Sequence, residues 1–297
     1  MIGEPETAAR TEGGALLLDG KRTAHEIREA IAAHLKALHN PLVTLATVLV
    51  GEDPPSQLYV RTKHREAQAA GMHSRHVALP STVSQAALES QIKQLGADPD
   101  VHGILVQLPL PGGLNAQAVI DLLPPEKDVD GLTERNLGRL VRAQKGLVPC
   151  TPRGVMRLIE RYRIPTQGSK AVVVGRSTLV GLPLVLLLGA RGVDCTVTLA
   201  HSRTADLAAV TRAADILIAA VGVAGLITAA HVKPGAAVFD VGVTHSAAGI
   251  HGDVDFAAVQ AIAGAITPMP GGTGPMTVAC LLENTVEAAR MQGVLPA

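Results

Sequence analysis

The chain has 297 residues, of which 47% are hydrophobic and 18% charged, so it can form a packed core and is not disordered along its whole length. Aromatic residues make up only 1%, which leaves almost nothing for stacking unpaired nucleic-acid bases. Twenty-six basic residues balance 26 acidic ones, so no basic surface is expected to hold a phosphate backbone.

The sequence predicts neither a metal site nor a membrane segment. The three cysteines are far apart, so we expect buried thiols rather than a disulfide framework or zinc site: Cys150, Cys195 and Cys280. Three histidines are expected at solvated positions: His64, His73 and His76. Residues 1–14 lack the apolar segment of a signal peptide, and the apolar run 182–189 is too short to span a bilayer. We therefore expect a soluble, cytoplasmic protein.

Strand-like and helix-like segments alternate through the first half of the chain. The predicted elements are strands at 42–50, 77–79 and 103–108 and helices at 54–71, 84–95 and 115–123. Ser84 is the expected N-cap of the middle helix. This βαβα order is typical of a parallel sheet flanked by helices.

The same alternation restarts after residue 150. The predicted elements are a helix at 153–162, strands at 170–175, 195–199, 216–220, 236–241 and 264–266, and a closing helix at 275–292. The pattern predicts an α/β protein of two domains, each with a parallel sheet flanked by helices. Periodicity leaves open which half the closing helix joins.

A candidate dinucleotide site begins the second half. KAVVVGRSTLVGLP at 170–183 reads as a strand, a turn and a helix, the arrangement that binds a dinucleotide phosphate. Only Gly175 and Gly181 are present, so the generic GxGxxG spacing is not matched. An ordinary βα turn therefore stays an alternative.

The end of the next strand favours NADP over NAD. HSRT at 201–204 stands where an NAD-binding site usually carries an acidic residue. Ser202 and Arg203 can instead donate hydrogen bonds to a 2′-phosphate, and Arg176 in the first turn can reach the same group.

Candidate catalytic residues gather in the first half. Tyr59 and Lys63 are four apart on one helix face, after the carboxyl end of a strand. Gln107 ends a later strand, and Asp128 and Asp130 return to the same edge. Separate roles at the sheet edge explain each residue singly, but not easily the whole set.

The Tyr59 and Lys63 spacing also resembles the Tyr/Lys pair of short-chain dehydrogenases. In that family the glycine-rich nucleotide turn precedes the pair. Here the pair precedes Gly175 by more than a hundred residues, and that order argues against the assignment.

From about residue 18 to 291, the chain resembles the bifunctional methylenetetrahydrofolate dehydrogenase/cyclohydrolase family. The matching stretches are VGEDPPSQLYVRTK (50–63), GILVQLPLP (103–111), PEKDVDGL (125–132), VVVGRSTLVGLP (172–183), HSRT (201–204), KPGAAVFDVG (233–242), GDVDF (252–256) and TPMPGGTGPMTVA (267–279). They occur in the family's order and at its spacing. Three residues depart from the family's usual choices: Ala200, Met269 and Thr273.

The resemblance implies a role for each candidate residue. Lys63 would be catalytic, Tyr59 would pack against the folate, Gln107 would position the lysine and Asp130 would hold the pterin. The positions matching NADP contacts, with Arg203 added from the strand-end pattern, are Gly175, Arg176, Ser177, Ser202, Arg203 and Val243. The loop 270–277 would face the substrate, beginning with Pro270, Gly271 and Gly272.

The resemblance also implies a domain plan and an activity. Residues 18–150 with 280–297 would form a folate-binding catalytic domain, 151–279 a Rossmann-type NADP-binding domain, and 1–17 a flexible extension. A homodimer is expected to oxidise 5,10-methylenetetrahydrofolate with NADP and to hydrolyse the product to 10-formyltetrahydrofolate. The alternative is a regulatory module that binds NADPH or folate without turnover. The complete set of Lys63, Gln107 and Asp130 argues against that alternative.

Overall fold

The structure is a computed structural model that describes residues 9–246 and 249–296. Its strands are β1 (Leu16–Leu17), β2 (Thr44–Val50), β3 (His73–Leu79), β4 (Gly103–Val106), β5 (Lys170–Val174), β6 (Thr196–Ala200), β7 (Ile216–Ala219), β8 (Ala237–Asp240), β9 (Thr244–Ser246), β10 (Gly249–His251) and β11 (Ala265–Ile266). Its α-helices are α1 (Gly20–Ala37), α2 (Pro54–Ala69), α3 (Gln85–Ala97), α4 (Ala116–Ile120), α5 (Glu134–Val141), α6 (Cys150–Arg161), α7 (Gly181–Leu188), α8 (Leu207–Thr211), α9 (Phe256–Val259) and α10 (Thr273–Met291). A short 3₁₀ helix covers Ala229–His231.

The chain divides into two compact units. The first unit comprises residues 1–25 and 151–277, and the second comprises 26–150 and 278–297. The N-terminal segment differs from the domain plan drawn from the sequence, which placed residues 1–17 in a flexible extension. Strand β1 joins the sheet of the first unit because Leu16 and Leu17 pair with Ala265 and Ile266. Residues 1–8 lie outside the described part of the chain.

A six-stranded parallel sheet forms the centre of the first unit. Its strand order is β1-β11-β8-β7-β5-β6, and the inner strands are apolar apart from Lys170 at the start of β5 and Asp240 at the end of β8. Continuous apolar strands are expected where both faces of a parallel sheet are covered. The buried core includes Val172, Leu217 and Val238, and Phe239 is its largest fully buried side chain.

The second unit contains a three-stranded parallel sheet in the order β3-β2-β4. The middle strand β2 is buried along its whole length, whereas the edge strand β3 has a polar first half and consists of exposed and half-buried residues. Helix α3 covers this sheet with Leu88, Ile92 and Leu95, which are buried on one face. Both sheets confirm the predicted α/β class.

Local signals explain where several helices begin. The Asp53 carboxylate accepts a hydrogen bond from the Ser56 N–H at 2.9 Å and caps α2, and two prolines follow the cap. Ser84 caps α3 as predicted, since its Oγ accepts from the Ala87 N–H at 3.2 Å. Strand β3 begins four residues before the predicted 77–79 because its polar first half suits an exposed edge.

Candidate functional site

The second unit brings Lys63 and Gln107 into direct contact. Lys63 lies on α2, and its Nζ donates a hydrogen bond to Oε1 of Gln107 at 2.9 Å. Gln107 follows β4, and its Nε2 donates to the Leu108 carbonyl oxygen at 2.7 Å. Because the amide nitrogen is held by the main chain, the amide oxygen is the atom that faces the lysine.

Burial and a neighbouring negative charge shift the pKa of Lys63 in opposite directions. The side chain is half-buried, and loss of water around the ammonium lowers the Lys63 pKa. The negative charge of Asp130 partly opposes this effect by favouring the protonated amine. Burial raises the pKa of the Asp130 carboxyl itself, while the charge of Lys63 lowers it. The pair is therefore coupled, and each group biases the proton occupancy of the other.

The two aspartates that the sequence placed at this edge differ in their surroundings. Asp128 is buried, and its carboxylate accepts from the N–H groups of Leu132 at 3.2 Å and Thr133 at 2.8 Å. It also accepts from Asn136 Nδ2 at 2.9 Å. Asp128 therefore organises the loop before α5, and Asp130 is the carboxylate that interacts with Lys63.

Tyr59 shares the Lys63 face of α2. The two residues are separated by one helical turn, and Tyr59 keeps 39% of its surface exposed while Val60 beside it is buried. An exposed ring at the edge of a lysine site provides a flat surface for a planar ligand.

Two further residues of this site were missed in the sequence. Asn284 on α10 is fully buried, and its Nδ2 donates to the carbonyl oxygens of Val129 at 2.7 Å and Val148 at 2.8 Å. Cys150 was interpreted only as a small buried hydrophobe. It is buried, but its thiol donates to the Val129 oxygen at 3.2 Å and lies next to the Asp130 carboxylate. An Asn within the apolar run of α10 was the available signal.

The first unit contains the candidate dinucleotide turn. Gly175 follows β5 with a φ of 124°, and a Cβ there would lie 2.1 Å from the Ala220 carbonyl oxygen. A Cβ on Gly181 would lie 2.0 Å from the Gly175 carbonyl oxygen. The turn therefore requires glycine at both positions, and it brings the start of α7 close to the strand end. Ser177 Oγ stabilises the turn by accepting from the Val180 N–H at 3.2 Å.

Exposed polar side chains follow the neighbouring strand β6. A tight turn forms because the His201 N–H donates to Thr204 Oγ1 at 2.9 Å and the Thr204 N–H donates back to the His201 oxygen at 2.8 Å. Ser202 and Arg203 are exposed on this turn, and Arg176 is exposed after β5. Strand β6 pairs with β5, so both turns lie at the same carboxyl edge of the sheet. These residues suit a phosphorylated dinucleotide. The glycine turn lets the main chain approach the phosphates closely, and the exposed Arg176 and Arg203 can bind a further phosphate.

The remaining candidates also lie in the first unit. Val243 follows β8 and is 37% exposed. The Pro270 loop precedes α10, with Gly271 at a φ of 110° and Gly272 packed so closely that a Cβ would meet the Pro268 oxygen at 2.6 Å. The sequence-predicted folate contacts are thus divided between the units, since Tyr59, Gln107 and Asp130 belong to the second.

The histidines form no metal centre in the part of the chain that the structure describes, where no group of three or more potential ligands occurs. His73 and His76 are exposed as predicted, but His64 is only half-exposed. Its Nε2 is hydrogen-bonded to Thr47 Oγ1 at 2.7 Å, and its Nδ1 to Ser74 Oγ. None of the described helices is long and apolar enough to cross a membrane.

Comparisons with known proteins identify the family. The model of the tetrahydrofolate dehydrogenase/cyclohydrolase catalytic domain matches residues 18–130, and that of the NAD(P)-binding domain of the same family matches 149–293. A protein of Acidiphilium cryptum named bifunctional protein FolD is 54% identical over 277 residues, covering 93% of this chain and 98% of its own length. One of the same name from Oleidesulfovibrio alaskensis is 50% identical over 276 residues, with coverage of 91% and 96%.

Solved structures agree with the sequence comparison. The bifunctional FolD enzyme of Campylobacter jejuni has a TM-score of 0.90 at 40% identity and covers 94% of this chain and 99% of its own. The methylenetetrahydrofolate dehydrogenase-cyclohydrolase of Trypanosoma brucei, solved with NADP and an inhibitor, has a TM-score of 0.88 at 37% identity, with coverage of 93% and 98%. The chain belongs to the tetrahydrofolate dehydrogenase/cyclohydrolase family.

Proposed function

We propose that this chain oxidises 5,10-methylenetetrahydrofolate to the 5,10-methenyl cation with NADP and then hydrolyses the cation to 10-formyltetrahydrofolate. The observation that carries the proposal is the contact of Lys63 Nζ with Gln107 Oε1 at 2.9 Å, next to the charge of Asp130. An amine of lowered pKa is suited to moving a proton near neutral pH. We assign that proton to the cyclohydrolase step, since addition of water to the methenyl cation calls for proton transfer.

Lys63 acts as the proton-transfer group of the hydrolysis. Water adds to the methenyl carbon and loses one proton, which gives a neutral hydroxyl adduct. The bond from that carbon to nitrogen N5 then breaks as N5 takes up a proton, and loss of the hydroxyl proton leaves the formyl group on N10, so that one proton is released in sum. Because Gln107 accepts one N–H of Lys63, rotation of the amine is restricted, and the neutral amine keeps its lone pair available for the reacting water. Burial lowers the pKa of Lys63 and so favours the neutral amine that accepts the proton, and the charge of Asp130 stabilises the protonated amine that forms.

Tyr59 and Asp130 bind the substrate in this proposal. The exposed ring of Tyr59 packs on the flat pterin, and an ionised Asp130 accepts N–H groups from the pterin edge. The positive charge of Lys63 favours that ionised form against the effect of burial. The loop that begins with Pro270, Gly271 and Gly272 stays a predicted substrate-binding segment, which the family resemblance supports.

The first unit holds NADP in this proposal, and the bound nicotinamide supplies the hydride acceptor for the oxidation. Gly175 and Ser177 bind the phosphates through the turn, and Val243 borders the cofactor at the end of β8. Exposed Arg176, Ser202 and Arg203 bind the 2′-phosphate and so select NADP. Nothing at the end of β6 in the 201–204 turn is acidic, which avoids repulsion of that phosphate.

We also propose that the chain forms a homodimer and acts in the cytoplasm. The family resemblance supports the dimer, and light scattering coupled to size-exclusion chromatography tests it. A mass of one 30.6 kDa chain in solution would contradict the dimer.

The decisive experiment compares Lys63→Ala with Lys93→Ala. Lys93 is an exposed lysine on α3 of the same unit and provides the matched control. Loss of a positioned proton-transfer group costs about 10²- to 10⁴-fold in rate, so Lys63→Ala should lose cyclohydrolase activity by that factor. NADPH binding, measured by fluorescence, should be unchanged in both variants.

Two outcomes would contradict the proposal. A Lys63→Ala variant that hydrolyses methenyltetrahydrofolate at the wild-type rate would remove the assigned role of the lysine. A wild-type chain that binds NADPH and folate but turns over neither folate substrate would instead be the regulatory module. An assay of NADPH absorbance with methylenetetrahydrofolate separates the enzyme from the regulatory module, and loss of the methenyltetrahydrofolate absorbance reports the hydrolysis in Lys63→Ala.

A further inference from the structure

Two buried aspartates, each in a stretch that matches the family, meet inside the first unit. Asp240 is the last residue of β8 and belongs to the stretch FDVG (239–242), and Asp253 belongs to the stretch GDVDF (252–256). Asp240 is 2% exposed, and Asp253 is fully buried. The Asp240 carboxylate accepts from the N–H groups of Asp253 at 2.9 Å and Val254 at 3.0 Å. The first aspartate therefore holds the main chain that carries the second.

Asp253 in turn holds the loop that follows β7. Its Oδ2 accepts from the N–H groups of Val221 at 2.6 Å and Gly222 at 3.1 Å, and its Oδ1 accepts from the Val223 N–H at 2.8 Å. Three successive main-chain donors thus share one carboxylate. A buried carboxylate that accepts several N–H groups is a strong restraint on a loop. We call residues 221–223 the held loop.

The aspartates have no room to move. A Cβ on Gly242 would lie 2.0 Å from the Asp253 carboxylate carbon, and a Cβ on Gly252 would lie 1.8 Å from Asp240 Oδ2. Both glycines therefore let main chain pack directly against the carboxylates. This close packing restricts the side chains of both aspartates in addition to their hydrogen bonds.

The held loop lies beside the candidate cofactor residues. Strand β7 pairs with β5, and the Ala220 oxygen that precedes the loop limits Gly175 to glycine. On the other side, Thr244 Oγ1, next to Val243, donates to the Gly222 oxygen at 3.3 Å. The loop thus connects the turn after β5 with the segment after β8 along the carboxyl edge of the sheet, where ligands of such sheets bind.

The held loop presents apolar side chains outward. Val221 is 38% exposed and Val223 is 50% exposed, although both are bordered by a buried carboxylate network. We propose that Asp253 is a positioning residue for the dinucleotide, fixing the held loop so that its valines and main chain meet the cofactor. This inference rests on the proposed NADP-dependent function. Asp253 itself is buried and acts only through the loop.

The test compares Asp253→Asn with Asp255→Asn in the full-length protein. Asparagine has nearly the same size, but it offers one accepting oxygen and turns its NH₂ group toward main-chain donors. Asp255 is exposed and accepts from the Ala258 N–H at 3.1 Å, so it provides a control for losing an aspartate that accepts a main-chain N–H. We expect the Kd for NADPH to rise at least about tenfold in Asp253→Asn and to stay unchanged in Asp255→Asn.

Cyclohydrolase activity separates positioning from a general defect. Hydrolysis of methenyltetrahydrofolate needs no hydride acceptor, and the proposed proton-transfer group Lys63 and its partner Gln107 lie in the second unit. Asp253→Asn should therefore keep its cyclohydrolase kcat while NADPH binding weakens. An unchanged Kd for NADPH would overturn the inference, and so would an equal loss of both properties.

A second variant decides the matter if Asp253→Asn does not fold. Gly222 has a φ of 76°, and a Cβ added there would meet no atom within 4 Å, so Gly222→Ala strains the held loop without a side-chain contact to either aspartate. Weaker NADPH binding in Gly222→Ala would support a role for the loop conformation, and unchanged binding would overturn it. Absence of NADPH binding in the wild-type protein would contradict the proposed function itself, which keeps the two failures distinct.

Discussion

The contact between Gln107 and Lys63 provides the sharpest test of the proton-transfer proposal. Gln107→Leu removes the oxygen that accepts from Lys63 Nζ at 2.9 Å while keeping a side chain of similar volume. Hydrogen bonds to charged groups contribute about 1.5–3 kcal/mol. If that energy serves to align the amine in the transition state, the cyclohydrolase kcat should fall about 10- to 150-fold.

The effect should be specific to this glutamine. Gln117 is exposed on α4, where its Nε2 donates to Asp121 Oδ2 at 2.9 Å, and Gln117→Leu makes the same chemical change away from the site. We expect the control to keep the wild-type kcat and both variants to bind NADPH normally. A Gln107→Leu variant with the wild-type kcat would refute the positioning role of Gln107.

Gln107→Glu tests whether the protonation state of Lys63 controls the rate, because it adds a negative charge beside the amine instead of removing an acceptor. An added carboxylate favours the protonated amine, so it should raise the Lys63 pKa and move the pH profile of the cyclohydrolase reaction upward. Gln107→Leu adds no negative charge and should produce no such upward movement. A pH profile that does not move in Gln107→Glu would show that Lys63 titration does not control the rate.

Three further predictions follow from other parts of the structure. Replacing both exposed arginines, Arg176 and Arg203, with alanine should raise the KM for NADP at least about tenfold more than that for NAD; an unchanged preference would contradict their role. Asn284→Ala removes two buried hydrogen bonds, at 2.7 and 2.8 Å, and should destabilise the protein by about 2–4 kcal/mol, lowering Tm by roughly 5–15 °C in calorimetry. Burial and a neighbouring histidine lower the pKa of His64, so the unfolded chain takes up its proton more readily than the folded chain. Stability should therefore fall as the pH drops below about 6.5, less in His64→Gln than in the control His73→Gln, as measured by chemical denaturation.

Local patterns predicted most of the strands because their signals lie within a few residues. The β-branched run of β2 and the Ser84 cap of α3 are examples of such signals. Helix α1 was not predicted, although its buried Ile27, Ile31 and Leu35 recur at a spacing of four. Attention to that spacing was sufficient to find the helix.

The contacts within the candidate sites could not be read from local patterns. Asn284 and the Val129 oxygen that it binds are 155 positions apart, and Asp253 and Val221 are 32 positions apart. Such pairs leave no periodicity in the sequence, because each partner satisfies a main-chain group that any residue type would present. The family resemblance groups Lys63, Gln107 and Asp130 in one site, and the structure separates the two aspartates. Asp128 accepts main-chain N–H groups, whereas the charge of Asp130 favours the protonated amine of Lys63.

The division of the candidate residues between two units has a chemical consequence. Oxidation needs both a folate and a hydride acceptor, whereas hydrolysis of the methenyl cation needs only water and a proton-transfer group. Lys63, Gln107 and Asp130 all belong to the second unit, while the Gly175 turn and Asp253 belong to the first. Changes in the first unit that weaken NADP binding should therefore spare the hydrolysis, and loss of Lys63 should spare NADPH binding. Because the two losses are expected in different units, a variant from each, assayed for both reactions, determines whether the activities are separable.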